Sequence, residues 1–410
     1  MRHIVWLILG VILFSTSARA IGYHPSLSGM QSSGMGSLYS GLSISPEAVW
    51  LNPAALSAMD SRYSLSMGLN FSQSFTKFQN SAPSIYQANS DNSVFLPYHI
   101  YFSASLNERI SIGFAFNNPF ASQIKWQEEN WIGRFLVKES EYLVTVYQPT
   151  IAYAITDNLH IGAGLIIAKA GMRFKKAIPY RDSNREGSVE ITDNALQYGV
   201  NAGIFLQPIE KVKIGLSFRS RLQFQFNNSN AQFNVPGSLQ PFFPESVTAA
   251  SNASTPALLD LTGSYQLAEN TILNAGIAFV FKRTTGDNNF LFTENNTYLT
   301  NINTLHTERN GVILRLGTEY GFTDFLFFRA GMYYQSATAD NDFFFPANPD
   351  LNRLAFTAGG SFLPAPGLSI GLSVVYSAGL EKSATYMPAN FAGNYKSSSF
   401  IPGIGLSYAL

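Results

Sequence analysis

The sequence predicts an all-β protein, a fourteen-stranded antiparallel transmembrane β-barrel with a short N-terminal hatch, or plug, inside its lumen. Apolar and polar residues alternate with a period of two through most of the chain, as along Leu368–Tyr376. Short polar turns alternate with long polar loops. Charged residues make up 13% of the chain, against roughly 25% in an average soluble domain. A barrel whose outer surface contacts lipid needs fewer charges.

The spacing of the turns gives the strand count. Tight polar turns are predicted at six places, 107–108, 157–158, 210–211, 269–270, 323–324 and 366–367. Seven longer polar loops are predicted near 76–93, 118–140, 178–193, 227–255, 284–308, 340–351 and 382–397. Fourteen strands fit between them, and an even number puts both chain ends on the side of the short turns. In outer-membrane barrels that is the periplasmic side.

The N-terminus predicts export. A basic start at Arg2 is followed by an apolar run over Ile4–Phe14 and by Ala18-Arg19-Ala20, the features of a secretory signal peptide cleaved after Ala20. The alternative is a retained anchor, but the apolar run is too short to span a bilayer as a helix. We therefore divide the chain into a signal peptide (1–20), a hatch (21–60) and a barrel (61–410).

Residues 22–56 are too rich in Gly, Ser and Pro for a strand and lack a helical apolar stripe, so they are predicted to fold as the hatch. The most specific motif in this segment is Asn52-Pro53-Ala54. Proline fixes its own φ and disfavours helix at the residue before it, while Asn bonds nearby backbone groups in turns. Asn52, Pro53 and Ala54 are predicted to form a rigid gating corner; the alternative is a purely structural turn.

The third strand is predicted to contain a break that opens the barrel wall sideways. Proline cannot donate a hydrogen bond to a strand ladder and marks edges or bulges. The residues assigned to this lateral opening are Gly113, Ala115, Asn117, Asn118, Pro119 and Phe120. The alternative is that Pro119 ends the strand and begins the loop.

Apolar side chains in the following loop are candidates for capturing a hydrophobic ligand at the cell surface, because exposed apolar clusters often mark interaction sites. They are Trp126, Trp131, Ile132 and Phe135. The alternative is that the loop packs on itself.

Inward-facing cations are candidates for binding a ligand carboxylate, since arginine presents a fork that matches it. By alternation these are Arg219, Arg221, Lys282, Arg315 and Arg329, with Glu319 as an available partner. Tyr23 is assigned to the lumen beside the third strand. A polar barrel interior needs charged networks in any case, so each cation has this second interpretation.

The sequence predicts no enzyme, no cofactor and no metal site. Gly367-Leu368-Ser369-Ile370-Gly371 matches the G-x-S-x-G esterase pattern, but it lies within an alternating strand and lacks the strand-to-helix elbow. Cysteine is absent and the formal net charge is +0, so neither thiolate chemistry nor a nucleic-acid partner is indicated.

Several motifs in order resemble the FadL/TodX (OmpP1) family of outer-membrane transporters across essentially the whole mature chain. They are Ile21-Gly22-Tyr23, the segment 32–41, Asn52-Pro53-Ala54, Asn118-Pro119-Phe120, Trp126, 131–135, 148–153, 156–159, Phe345-Pro346 and 348–350. The terminal strand 403–410 resembles the signal read by the barrel-assembly machinery, with Leu410 in place of the usual aromatic.

The resemblance implies passive transport of long-chain fatty acids, or alternatively of aromatic hydrocarbons, across the bacterial outer membrane. The ligand would be caught by extracellular loops, pass a hatch-gated pocket and leave sideways beside a kinked third strand. The expected partners are hydrophobic small molecules, outer-membrane lipid and the barrel-assembly machinery, and the chain is expected to be a monomer. Two other interpretations remain: a barrel scaffold of a protein-secretion system, and a general porin for polar solutes.

Overall fold

The computed structural model describes residues 19–20, 29–39, 41–42, 44–126, 130–179 and 186–410. Within these residues the chain forms a barrel of fourteen strands, several of them in two segments. They are β1 (Tyr63–Asn70 and Gln73–Asn80), β2 (Gln87–Asn89 and Tyr98–Ser105), β3 (Ile110–Lys125), β4 (Glu139–Thr156), β5 (Leu159–Ile178), β6 (Gly187–Ile209), β7 (Val212–Arg219 and Gln223–Asn234), β8 (Ser246–Ser254 and Ala257–Ala268), β9 (Thr271–Phe281 and Thr284–Phe292), β10 (Ile302–Glu308 and Gly311–Thr323), β11 (Leu326–Gln335), β12 (Arg353–Ala365), β13 (Leu368–Tyr386) and β14 (Phe391–Ala409).

Short helical elements complete the described fold. They are the α-helices α1 (Met30–Gly34) and α2 (Ala48–Leu51) and the 3₁₀ helices Pro53–Ala58, Gln240–Phe242 and Met387–Ala389. Arg19–Ala20 pairs in parallel with Ala253–Ser254 of β8. Among the described residues, no helix has both the length and the apolar character needed to cross a membrane.

Every barrel strand pairs antiparallel with the next, and the last closes on the first. Ser64 of β1 pairs with Ala409 of β14, and the register continues to Asn70 and Gly403. The second segment of β1 extends this closure from Gln73 against Phe400. The prediction of a closed fourteen-stranded antiparallel barrel is confirmed.

The six predicted short turns are also found where they were expected, as between Ile209 and Val212 or between Ala365 and Leu368. Most loops at the other end are shorter than predicted, whereas the loop predicted at 340–351 is longer and spans 336–352. β3, for example, runs to Lys125, although the loop was predicted to begin at 118. Paired strands continue beyond the predicted loop boundaries because polar side chains are tolerated on a strand face that contacts water rather than lipid.

Alternation separates an outward face from an inward face along each strand. On β5, Leu165 is 48% exposed while its neighbour Ile166 is fully buried. Nearer the loop end, the inward row remains apolar through Ala168, Ala170 and Phe174, whereas the outward row carries Lys169 and Arg173. Along β5 the loop half of the barrel therefore presents an apolar inner face and a charged outer face.

The alternation of β7 changes phase between its two segments. By sequence, Leu222, Phe224 and Phe226 share the lipid-facing side with the apolar residues at 212–218. In the structure Leu222, Phe224 and Phe226 are fully buried, while Ile214 and Leu216 are exposed. The strand leaves its ladder between Arg219 and Gln223. Because the side-chain period is two, this interruption moves the following apolar residues into the lumen.

Candidate functional site

The N-terminal segment, here meaning the described residues from Gly29 to Met59, lies within the ring of strands. Met30 packs beside Gly371 and Gly405 of β13 and β14, and Val49 lies beside Gly113 of β3. Between these two sides the segment touches β5, β6 and β9 to β12. Its contacts therefore run around nearly the whole inner wall.

Two glycines let the Asn52–Ala54 corner approach the wall closely. A Cβ added at Gly162 of β5 would lie 2.5 Å from the Ala54 nitrogen, and one at Gly203 of β6 would collide with the Asn52 side chain. Asn52 Oδ1 accepts a hydrogen bond from the Ala54 N–H at 3.1 Å, and Asn52 Nδ2 donates to the Ile204 carbonyl at 3.1 Å. The corner is thus internally braced and docked on β5 and β6. Its gating role stays a prediction.

Three polar side chains hold the end of α2. Gln148 Nε2 donates to the Val49 carbonyl at 2.7 Å, while Asn201 Nδ2 and Arg219 Nη2 both donate to the Trp50 carbonyl, at 2.8 and 2.6 Å. The Arg219 guanidinium also lies 3.5 Å from the centre of the Trp50 ring, a cation–π arrangement that gains strength away from water. β4, β6 and β7 together clamp one turn of the segment.

A second anchor holds the residues after α1. Thr357 Oγ1 of β12 accepts a hydrogen bond from the Gly36 N–H at 2.8 Å and donates to the Gly34 carbonyl at 3.0 Å. Arg315 donates to the Ser37 carbonyl at 3.1 Å and forms an ion pair with Asp260. The segment is therefore fixed to opposite sides of the barrel by side chains that satisfy its backbone.

A buried carboxylate joins α1 to the residue that precedes α2. Glu47 accepts hydrogen bonds from the backbone N–H groups of Gln31 and Ser32 at 2.9 and 3.0 Å. Burial raises the pKa of Glu47 above its usual range, and the donors from Ser32 and Gln31 act in the opposite direction. Below it, Gln31 donates to Glu319 at 3.2 Å, and Glu319 is paired with Arg329 at 2.6 Å.

The predicted lumen cations thus fall into two groups. Arg219 and Arg315 hold the N-terminal segment, and Arg329 is paired with Glu319, which accepts a hydrogen bond from Gln31. Arg221 donates to the Phe281 carbonyl instead. Lys282 lies nearer the loop end, where its Nζ contacts Thr338 at 2.9 Å, Glu308 at 3.1 Å and Asp350 at 3.8 Å. Tyr23 lies outside the described residues. Ligand contact by any of these residues stays a prediction.

β3 is broken at Asn118–Pro119 but does not end there. Asn117 pairs with Val146 and Phe120 with Val144, so the strand bulges at Asn118 and Pro119 and then continues along β4. The ladder with β2 stops at Asn117 and its partner His99. The Tyr98 N–H then donates to Asn118 Oδ1 at 3.4 Å, and the next backbone bridge joins Ser90 to Trp126. The alternative in which Pro119 ends the strand is therefore wrong. β3 lacks a continuous ladder to β2 between these two points.

The break adjoins the clamp on α2. Phe120 is fully buried and meets the Trp50 ring edge-on, with ring centres 6.5 Å apart. Asn118 Nδ2 donates to Thr145 Oγ1 at 3.0 Å, which fixes the bulge on β4. Gly113 lies against Val49 and Leu56, and Ala115 is fully buried. Contact between the N-terminal segment and the broken strand is therefore direct.

The loop tryptophans pack on each other. The rings of Trp126 and Trp131 stack with centres 4.2 Å apart, and Phe78 meets both. Trp131 is fully buried, whereas Ile132 is 37% exposed. The Phe135 ring is covered by the Arg134 guanidinium at 4.5 Å. This geometry supports the interpretation in which the loop packs on itself; ligand capture by these residues stays a prediction.

A cavity of about 300 Å³ lies beside the break in β3. Its apolar lining includes Phe95, Ile124, Leu143 and Val280, and its polar lining includes serines of β14 and the segments of β1. Lys282, Asp350 and Arg353 line the same space. Small-molecule sites commonly begin at roughly this volume and combine apolar walls with a few polar groups.

Sequence reasoning missed Gln148, Asn201, Thr357 and Arg353. The first three face inward by the alternation of their strands, so their orientation could be predicted. Their partners could not, because those partners are backbone carbonyls and N–H groups of a segment without regular periodicity.

Comparison with known proteins gives a consistent family match. Residues 11–409 match the family model described as "Outer membrane protein transport protein (OMPP1/FadL/TodX)". The chain is 24% identical over 323 residues to outer membrane protein P1 of Haemophilus influenzae, covering 70% of this chain and 66% of that protein. It is 21% identical over 443 residues to the long-chain fatty acid transport protein of Salmonella typhi, covering 98% and 97%.

Solved structures show the same fold. A Pseudomonas aeruginosa FadL homologue superposes with a TM-score of 0.80 at 18% identity, covering 97% of this chain and 99% of that one. The Pseudomonas putida toluene transporter TodX gives a TM-score of 0.69 at 16% identity, covering 93% and 98%.

Proposed function

We propose that this chain, which belongs to the OMPP1/FadL/TodX family of outer membrane transport proteins, carries long-chain fatty acids passively across the bacterial outer membrane. Transport of hydrophobic compounds through an outer-membrane barrel is the activity of the family. The choice of fatty acids is the proposal. It rests on the name of the Salmonella relative, which aligns over nearly the whole chain, and on the cations that line the cavity.

The observation that carries the proposal is the apolar interior of the barrel. Val144, Ile166, Phe174, Phe224 and Phe290 are fully buried and belong to one hydrophobic cluster with the Trp50 and Leu56 side chains of the N-terminal segment. A general porin requires a polar, water-filled lumen. A hydrophobic compound that passes through an apolar lumen instead keeps its surface away from water, so the unfavourable free energy of hydrating that surface is avoided.

The proposed route enters at the loop end, passes the cavity and leaves through the wall at Asn118–Pro119. The break in β3, the Phe120–Trp50 contact and the docked Asn52–Ala54 corner support this route. In the proposal, movement of the N-terminal segment opens the passage, and no nucleotide or ion gradient is consumed.

Uptake of labelled oleate by cells lacking their own outer-membrane fatty-acid transporter tests the proposal. Wild-type protein should restore uptake, and Asn52→Ala and Pro53→Ala should reduce it at matched surface levels. Thr297→Ala, in an exposed loop, is the matched control and should behave as wild type.

A properly inserted wild-type barrel that takes up no oleate would contradict the fatty-acid proposal. Uptake of labelled toluene by the same cells would then favour the aromatic-hydrocarbon alternative. Normal oleate uptake by both hatch variants would contradict only the gating role of the corner.

A further inference from the structure

We infer that Arg353, at the loop end of β12, is the residue that selects an anionic head group in the cavity, so that the transporter prefers long-chain carboxylates to neutral chains of the same length. This inference rests on the proposed function and adds to it a specificity-determining side chain. Arg353 was not among the cations identified by sequence.

The other charged groups of the cavity already have partners. Lys282 is surrounded by Thr338, Glu308 and Asp350 at 2.9 to 3.8 Å. Asp350 Oδ2 also accepts hydrogen bonds from Thr338 Oγ1 at 2.6 Å and from the Ala339 N–H at 3.0 Å. Glu141 accepts a hydrogen bond from Gln123 at 2.7 Å.

Arg353 differs because Asp350, the carboxylate that attracts its guanidinium, lies too far away for an ion pair or a hydrogen bond. Its Nη1 is buried without a hydrogen-bond partner, and within the described part of the chain no carboxylate lies within 4.0 Å of its nitrogens. The side chain lines the cavity and keeps part of its surface accessible there. A buried charged donor without a partner is costly, so an incoming anion gains more at Arg353 than at the satisfied Lys282.

The remaining lining fits the rest of such a ligand. Val280, Ile124, Leu143 and Phe95 supply apolar surface in the same cavity, and Ile124 lies on the part of β3 beyond the break. A carboxylate at Arg353 would therefore leave the alkyl chain among apolar walls, beside the proposed lateral exit.

Binding of oleate and of oleyl alcohol to the purified full-length protein separates the head group from the chain. The wild type should bind oleate more tightly than the alcohol. Arg353→Met should weaken oleate binding by about tenfold or more, the usual effect of losing a charge-assisted hydrogen bond, and leave oleyl alcohol binding unchanged. Arg353→Lys should retain most of the wild-type affinity for oleate, because lysine keeps the positive charge.

Arg309→Met is the matched control, since it removes a positive charge from an exposed loop residue paired with Asp340. It should leave both affinities unchanged. Equal losses for oleate and oleyl alcohol in Arg353→Met, or no loss for either, would overturn the assignment of Arg353 while leaving the proposed function standing. A wild type that binds neither ligand would overturn both.

Discussion

Three side chains from three strands converge on one turn of the N-terminal segment. Gln148, Asn201 and Arg219 donate to the carbonyls of Val49 and Trp50. These carbonyls lie at the end of a four-residue helix, where no intrahelical partner exists. Burying them without donors would be costly, so the barrel wall supplies the hydrogen bonds that the short helix cannot make.

At the scale of single residues, Arg219 should be the strongest part of this clamp. Arg219→Met removes a charged hydrogen bond and a desolvated cation–π contact, so the free energy of local opening around Trp50 should fall by ~2 kcal/mol. Hydrogen exchange at the Leu51 and Asn52 amides measures that free energy. Arg221→Met should leave these amides unchanged, because Arg221 donates to the Phe281 carbonyl rather than to the N-terminal segment. Unchanged exchange in Arg219→Met would contradict the assigned role.

At the scale of elements, the main contacts are those between the N-terminal segment and the strands that enclose it. Backbone from Gly34 to Gly41 is bound by β8, β10 and β12, and the turn at Trp50 is bound by β4, β6 and β7. The broken part of β3 touches the same turn through Phe120. Any large displacement of α2 must therefore disturb the packing at the break, which in the proposed route would link movement of the segment to opening of the wall.

A disulfide between α1 and β13 tests whether the segment must move. A Cβ at Gly371 would lie 3.3 Å from the Met30 Cβ and would meet no other atom at closer range, close to the roughly 3.5–4.5 Å found in disulfides. The chain contains no cysteine, so Met30→Cys with Gly371→Cys forms a unique pair.

Oxidation of that pair should reduce oleate uptake to the level of cells without the protein, and a reductant should restore it. Each single cysteine variant serves as a control and should transport under both conditions. Full uptake with the disulfide formed would show that α1 stays in place during transport.

At the scale of the whole molecule, a filled lumen predicts electrical behaviour unlike that of a porin. The N-terminal segment and the inward apolar side chains form one cluster across the barrel. The wild-type protein should therefore show no steady ion conductance in planar bilayers.

Gly162→Ala should produce a steady ion conductance, because it should displace the N-terminal segment. The added Cβ would lie 2.5 Å from both the Ala54 nitrogen and the Pro53 carbonyl carbon. These are backbone atoms, which cannot rotate out of the way as the end of a side chain can. Gly263→Ala is the control, since nothing lies within 4 Å of its added Cβ. A steady large conductance of the wild type would instead favour the general-porin interpretation.

The sequence by itself determined the barrel, its strand number and its short turns. Those features depend on local rules: an alternation of period two, and polar residues where the chain reverses. The order of the motifs along the chain also indicated the family. Even the proline at position 119 marked the place where β3 departs from a regular ladder.

Only the tertiary structure decided what each inward side chain contacts. Alternation places Arg219 and Arg315 inside the barrel, yet it cannot show that they hold the N-terminal segment, whereas Arg353 lacks a described partner. Likewise, an interruption of a few residues in β7 reverses which face carries Phe224 and Phe226. The face of the sheet on which a side chain lies follows from the periodicity of its own strand. The groups that it contacts depend instead on strands distant in sequence and on the final position of the N-terminal segment, which has no regular periodicity.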